Sequence, residues 1–157
     1  MPVDPKPAIA AEVPPRVKRS LYPEPYYSRM AGRDKQTLGD LFGLKNFGVN
    51  RATIRPGGTS ALRHWHTRQD EFVYILSGTA TLVMDGGETP LRAGMCVGFR
   101  AGEANGHMLA NRGAEDVVYL EVGDRTAGDV VTYPDDDIQA VMVDGQRKFL
   151  RKDGSAF

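Results

Sequence analysis

From Asn46 onward the chain alternates apolar and polar residues in short runs separated by turn residues. That period of two is the signature of half-buried strands. Val49–Ile54, Ala61–His66, Glu71–Ser77, Thr79–Met84, Met95–Phe99, His107–Asn111, Val117–Val122 and Val130–Tyr133 all carry it. Asp85-Gly86-Gly87 reads as a hairpin turn, and Asp144-Gly145 as another between Ile138–Val143 and Arg147–Arg151. Short strands at even spacing, with almost no helix, predict an all-β antiparallel sandwich or barrel. The single helical pattern is brief: Leu38, Leu41 and Phe42 would share a face, Asp34 or Thr37 would cap it, and Gly43 would stop it. Seven of the ten prolines fall in the first 25 residues, where fixed φ and missing donors exclude a helix or a central strand. The expected organisation is an extended N-terminal arm over 1–27, docking through the tyrosines of Leu21–Tyr27, then a short helix and connection over 28–45. A barrel core over 46–133 and a C-terminal hairpin and tail over 134–157 complete it.

The run Glu71–Leu76 is apolar on both faces. Val73 and Ile75 can line an interior behind Glu71, which turns Phe72, Tyr74 and Leu76 outward. Leaving them in water forgoes roughly 1.5–3 kcal/mol of burial per residue. A homodimer, with the arm contributing to the cover, is the expected remedy.

Composition removes several classes of partner. Twenty Lys plus Arg balance twenty Asp plus Glu over 157 residues, so there is no basic excess for nucleic acid and none for a membrane surface. No apolar run reaches the length of a membrane span. The proline-broken start offers no signal-peptide core. The single cysteine, Cys96, excludes an internal disulfide framework and fits a reducing, cytoplasmic setting. Inside the run Met95–Phe99 it reads as a buried small hydrophobe.

Chemistry concentrates between Gly58 and Gly78. His64 and His66 are two apart on a strand and project to one face. After four intervening residues Glu71 opens the next strand toward the same interior. Two imidazoles and a carboxylate converging in a barrel make a site for a first-row divalent metal: Zn, Fe, Mn, Ni, Co or Cu. A fourth ligand is then due from another strand, and the third histidine of the chain, His107, is available.

These residues resemble the cupins, whose first motif is G-x5-H-x-H-x3,4-E-x6-G; Gly58, His64, His66, Glu71 and Gly78 meet every specified position. The second motif, G-x5-P-x-G-x2-H-x3-N, fits more loosely. Gly94 and Gly102 match, and Arg100 stands in place of proline. Strict spacing puts Asn105 in the ligand position. Two extra residues put His107 there, followed at the right distance by Asn111, and His107 is preferred because imidazole is the better ligand. The order of YPEP, RHWH, NGH and YLEVGDR segments is similar to a group of small bacterial cupins, some of which bear the name sugar-phosphate isomerase. The resemblance implies a double-stranded β-helix (jelly-roll) barrel, one divalent metal at its centre and dimerisation.

Four protein ligands leave coordination positions open for a bidentate small-molecule ligand in the barrel. The function expected is a metal-dependent enzyme acting on a small oxygenated anion, of isomerase or lyase type, on a sugar phosphate or keto acid. An Fe(II) dioxygenase and a non-catalytic binding or sensing cupin are the alternatives. Glu71 is the candidate catalytic carboxylate, and Arg100 a candidate to hold the substrate's anionic group. Ser60 and Leu62 share the parity of the histidines and are candidate wall residues; Trp65 and Tyr74 point the other way. Asp135, Asp136 and Asp137 read as a solvated acidic turn.

Overall fold

Alternation along the chain becomes strand wherever one face can be buried. The computed structural model describes residues 4–157; residues 1–3 of the expected arm lie outside the described residues. The described strands are β1 (Arg33–Thr37), β2 (Phe47–Ile54), β3 (Trp65–His66), β4 (Glu71–Ser77), β5 (Thr79–Met84) and β6 (Gly87–Arg92). They continue with β7 (Cys96–Phe99), β8 (Met108–Ala110), β9 (Val117–Asp124), β10 (Val130–Thr132), β11 (Gln139–Val143) and β12 (Gln146–Leu150). One layer is a five-stranded sheet in the order β1-β2-β9-β4-β7. Facing it are a three-stranded sheet, β6-β5-β8, and a four-stranded sheet, β12-β11-β10-β3. All the pairings are antiparallel. The two smaller sheets are stitched together by the stretch 57–64, which runs antiparallel to 107–111 through bridges at Thr59–Ala110 and His64–His107. This is the jelly-roll barrel that the motifs imply.

The inner faces build two apolar clusters. Ala52, Ile54, Ile75, Leu82, Val117 and Tyr119 belong to the one between the five- and three-stranded sheets. Leu62, Val131, Tyr133 and Ile138 form the other with Met30, and Tyr22 packs against them. Tyr22 lies edge-on to Tyr133 and Phe149, with centroids 5.7 and 5.3 Å away. The segment before β1 is thus tied to the barrel by aromatic contact, and also by the amide of Arg16 donating to the carbonyl of Lys35 at 2.9 Å. Gln36 adds side-chain bonds to the carbonyls of Ala11 and Val13 at 3.1 and 2.5 Å.

Several expectations need correction. Residues 33–37, expected to be part of a helical connection, form β1 instead. Its sequence, RDKQT, has no apolar alternation because the face it turns inward looks onto a polar chamber rather than an oily core. The helix α1 is a single turn, Leu38–Leu41, without a side-chain cap bond from Thr37; Leu41 and Phe42 stay half-exposed rather than sharing a buried face. Strand β6 was masked by Pro90, which its position beside β5 alone tolerates at the sheet edge. Cys96 is exposed, since it alternates with Val97 onto the outer face. Phe72, Tyr74 and Leu76 do point outward, about two-fifths exposed; the described part of the segment before β1 docks on β1 and leaves them uncovered.

Two motif glycines are explained by close approach. At Gly78, φ is +77° and an added Cβ would sit 2.5 Å from the carbonyl oxygen of Asp116. At Gly58 the nearest atom would be the Gly32 carbonyl oxygen at 2.9 Å, and the Gly58 carbonyl itself accepts from the amide of Asn111 at 2.9 Å. Backbones packed this tightly cannot yield as side chains do. Gly78→Ala is expected to cost about 3 kcal/mol or more by adding a clash to the φ penalty. Gly94→Ala, whose φ of +87° is equally left-handed but whose surroundings are open, is expected to cost only about 1–2 kcal/mol. Thermal melting of the two variants gives the comparison.

Candidate metal centre

The site is assembled by pairing rather than by proximity in sequence. His64 and His107 are cross-strand partners: the amide of each donates to the carbonyl of the other, at 3.1 and 2.9 Å. His66, two residues on, begins the pairing of β3 with β10, opposite Val131. Glu71 comes from the facing layer as the first residue of β4. The position of β4 is pinned by Asp70, whose amide donates to Asp124 at 2.7 Å and whose carboxylate accepts from the Ala101 amide at 2.7 Å.

Three imidazoles therefore meet one carboxylate. The Nε2 atoms of His64, His66 and His107 lie 3.4, 3.4 and 2.9 Å from Oε2 of Glu71. Donor atoms of His64, His66 and Glu71 all fall within 4.8 Å of one another, the spacing of a metal-ligand group. All three histidines are buried. Ring orientation is set from outside. His64 Nδ1 is 2.8 Å from the carbonyl of Leu62 and His66 Nδ1 is 2.6 Å from Oδ2 of Asp129. Phe99 stacks flat on His107, with centroids 3.5 Å apart and planes within 3°. Both Nδ1 contacts turn Nε2 toward the centre. This carbonyl-or-carboxylate support behind an imidazole is the usual arrangement behind a metal ligand.

The donor set fits a divalent ion on two counts. Glu71 Oε2 is buried and has no hydrogen-bond partner, despite three nitrogens around it. The three imidazole Nε2 atoms surround it at 2.9–3.4 Å, so all four donor atoms face one centre. The chemistry is also right: imidazole and carboxylate together suit first-row divalent metals. Burial opposes ionisation of Glu71, but His64, His107 and His66 outweigh it and hold the carboxyl well below its ordinary range. Burial depresses His107. For His66 burial acts the same way, yet Glu71 and Asp129 overcome it and raise its pKa.

Other expected residues fall elsewhere. Asn105 is turned away, its Oδ1 accepting from the amide of Asp85 at 3.0 Å. Arg100 is not brought to the chamber: its side chain is 78% exposed and paired with Glu103 at 2.8 Å. It follows β7 and borders a separate small pocket with His66 and His107. Ser60 lines the chamber, whereas Leu62 is buried in the apolar cluster and contributes its carbonyl. Asp135 and Asp136 are neutralised by Arg63 and Arg29, at 2.8 and 2.6 Å.

Two parts of the site have no signal in the sequence. Asp129 is 63 residues from its histidine and sits in no motif. The second is a largely buried ion pair, 15% and 24% exposed: the chamber, about 900 Å³, is lined beyond the candidate ligands by Lys35 of β1 and Glu121 of β9. Lys35 Nζ and Asn50 Nδ2 both bond Oε1 of Glu121, the latter at 2.9 Å. Glu121 is the diagonal neighbour of Glu71, because Glu71 pairs with Gly123 across β4 and β9. Burial opposes the charge on each partner. It lowers Lys35, while Lys35 and Asn50 overcome it at Glu121 and bring that carboxyl below its ordinary 4.5.

A cupin domain profile matches residues 50–123. The chain is similar over 98% of its length to a crystal structure of a sugar phosphate isomerase of the cupin superfamily from Silicibacter pomeroyi, at 40% identity, TM-score 0.90 and 96% of that chain covered. It is similar over 90% of its length to a protein from Acidithiobacillus ferrooxidans provisionally named a sugar phosphate isomerase, at 30% identity and TM-score 0.71, with 98% of that chain covered. A polyketide cyclase from Streptomyces resistomycificus, 19% identical with TM-score 0.63 over 77% of this chain and 80% of its own, shares the fold. Among proteins of curated function no sequence matches.

Two measurements check the site. Asp129→Asn is expected to weaken metal binding about 10–100-fold while all four donors remain, as loss of a carboxylate behind a ligating imidazole does; competition with a chelating dye reads the affinity. Glu121→Gln strands Lys35 and is expected to cost about 3–5 kcal/mol at pH 7, most of it recovered by adding Lys35→Met. Because the folded pKa of Glu121 is depressed, the pair's contribution is present above the ordinary 4.5 and disappears as pH falls through the lower folded value. The acid limb of the melting curve should accordingly flatten in Glu121→Gln.

Proposed function

This chain belongs to the cupin family, and on that premise we propose that it is a metal-dependent isomerase of a small, oxygenated, anionic metabolite of the sugar-phosphate or keto-acid class. The observation that carries the reading is the convergence of three imidazole Nε2 atoms on a buried, unpartnered carboxylate oxygen in the wall of a 900 Å³ chamber. The two isomerase-named relatives, at 40% and 30% identity, support it.

His64, His66, Glu71 and His107 would hold the ion. When bound, a divalent ion supplies Lewis acidity, drawing electrons from a substrate carbonyl and acidifying the carbon beside it. The remaining work falls to the chain. Isomerisation moves a proton between neighbouring carbons, so the chamber needs a group that accepts one and returns it. Glu121 is the candidate: it is ionised at neutral pH, it stands diagonally beside Glu71 across β4 and β9, and Tyr119 places its hydroxyl 3.4 Å from Oε2. Burial first and Glu121 second raise Tyr119 well above its ordinary value. It therefore stays protonated and serves as a hydrogen-bond donor. Lys35 holds the carboxylate in place from the other side. Ser60, Val73 and Leu109 form part of the surrounding wall, which limits water around the reacting carbon.

The exposed outer face of β4 is proposed as a contact with a second copy of the chain, supported by Phe72, Tyr74 and Leu76 side by side with Leu120 and Val122 of β9.

Incubating the metal-loaded protein in D2O with ketose and aldose phosphates tests the enzymatic reading by proton NMR. Deuterium should appear at the carbon beside the carbonyl, and Glu121→Gln should lower that exchange at least 100-fold with metal content unchanged. Substrate-dependent dioxygen uptake by the iron form, without deuterium incorporation, would contradict an isomerase and favour an oxygenase. Tight binding with neither exchange nor uptake would leave a ligand-binding module.

A further inference from the structure

The chamber has a second pole, and it is cationic. Arg33 and Lys35 of β1 share the inward face of that strand, and Arg16 reaches the same chamber from the N-terminal segment. Arg33 is only 4% exposed. Its guanidinium bonds backbone carbonyls alone: that of Ser60, and that of Arg19 at 2.6 Å. Arg16 Nη2 donates to the same Arg19 carbonyl at 2.9 Å. Two guanidinium groups are thus drawn onto one carbonyl oxygen, with no carboxylate paired to either among the described residues.

The acids nearby are already committed. Glu121 is taken by Lys35 and Asn50, and Asp40 by Arg125 at 3.4 Å. Lys35 and Glu121 cancel, so Arg16 and Arg33 leave two positive charges against the chamber uncompensated. Arg33 is buried and Arg16 partly so, and the Nε atoms of both are buried with no hydrogen-bond partner among the described residues. Burial first, and Arg33 second, depress Arg16 below its ordinary value. Buried charges are ordinarily paired, because leaving one unpaired costs several kcal/mol. A pair of like charges facing a cavity, with two unpartnered N–H donors, has the chemistry to receive an anion.

We propose that Arg16 and Arg33 form the subsite for a dianionic phosphomonoester group of the substrate, at the end of the chamber away from the metal ligands. The number of charges selects the class. A phosphate monoester carries about −1.5 to −2 at neutral pH and three acceptor oxygens, which matches two guanidiniums offering unused N–H groups. A carboxylate brings only one charge. Inner-face registers place the poles apart: Glu71 lies level with Gly123, Glu121 and Asn50 one row on, Lys35 and Tyr119 the next, and Arg33 beyond them. A substrate held at both ends has its middle carbons beside Glu121. The N-terminal segment thereby becomes part of the binding site, since it supplies Arg16 together with the buried Ser20. Arg100, expected from the sequence to hold the anion, is replaced in that role by residues of β1 and the segment before it.

This subsite gives the isomerase reading its substrate class and rests on it, so the test separates the two. Inorganic phosphate is titrated calorimetrically into the full-length metal-loaded protein and into Arg16→Gln and Arg33→Lys. Metal content and melting temperature are read alongside. Arg16→Gln changes the segment outside the barrel sheets, so it remains informative should Arg33→Lys disturb the fold. Both variants are expected to bind phosphate at least tenfold more weakly with metal content unchanged. Equal affinity in wild type and Arg16→Gln overturns the subsite, because phosphate would then be held elsewhere. Acetate binding as tightly as phosphate also overturns it. Phosphate affinity that falls in Arg16→Gln, in a protein that exchanges no substrate deuterium, supports the subsite while removing the isomerase reading. Isomerisation of an unphosphorylated ketose, with no phosphate bound, does the reverse.

Discussion

A buried carboxylate oxygen must be compensated, and Oε2 of Glu71 is met by three imidazoles, two of which have Nδ1 engaged from behind. That constraint orders much of the surrounding structure. It requires the stretch 57–64 to run against 107–111, because only that pairing sets His64 opposite His107. Gly58 permits that pairing by coming close to Gly32, and Asn111 closes it. The side chain of Asn111 is fully engaged, donating to the carbonyls of Ile54 and Glu115 at 2.8 and 2.7 Å and accepting from the Gly113 amide at 3.0 Å. The residues of the second motif thus divide between chemistry and architecture: His107 faces the centre, and Asn111 locks the strand that carries it.

The same barrel interior then changes character along its length. Toward the three-stranded sheet it is apolar and closely packed. At the histidines it is a donor cage, and beyond Glu121 it is cationic. The strands do not change their construction between these regions; only the residue type at each inward position changes. Burying Lys35 with Glu121 is costly in itself, and replacement by apolar residues would commonly be neutral or stabilising. Two further arginines beside that pair are hard to understand as structural devices and easy to understand as a receptor for negative charge.

What was legible in the sequence follows from these physical roles. Strands with one face in oil, such as Val117–Val122 and Thr79–Met84, announce themselves by alternation. The candidate metal ligands announce themselves because a strand places His64 and His66 on one side and a short turn returns Glu71 to it. Strand β1 was hidden for the opposite reason: its inward residues, Arg33 and Lys35, are charged because they line the polar chamber, and charge at alternate positions looks like a surface connection. Asp129 was hidden because support for a ligand comes from whichever distant strand happens to lie behind it. Arg100 stands where its spacing put it, just after β7, with its side chain largely exposed beside a small pocket that His66 and His107 also line. The functional parts that escaped are those whose polarity contradicts the rule that inward means apolar.

The central claim is that four side chains of this barrel bind one ion together. X-ray absorption spectroscopy at the metal edge of the protein loaded with one equivalent of zinc or iron tests it most directly. The account predicts a first shell of nitrogen and oxygen only, at about 2.0–2.2 Å for zinc, with outer-shell multiple scattering that fits three imidazoles and falls to two in His107→Ala. A spectrum fitted by two imidazoles in the wild type, unchanged by His107→Ala, would contradict it.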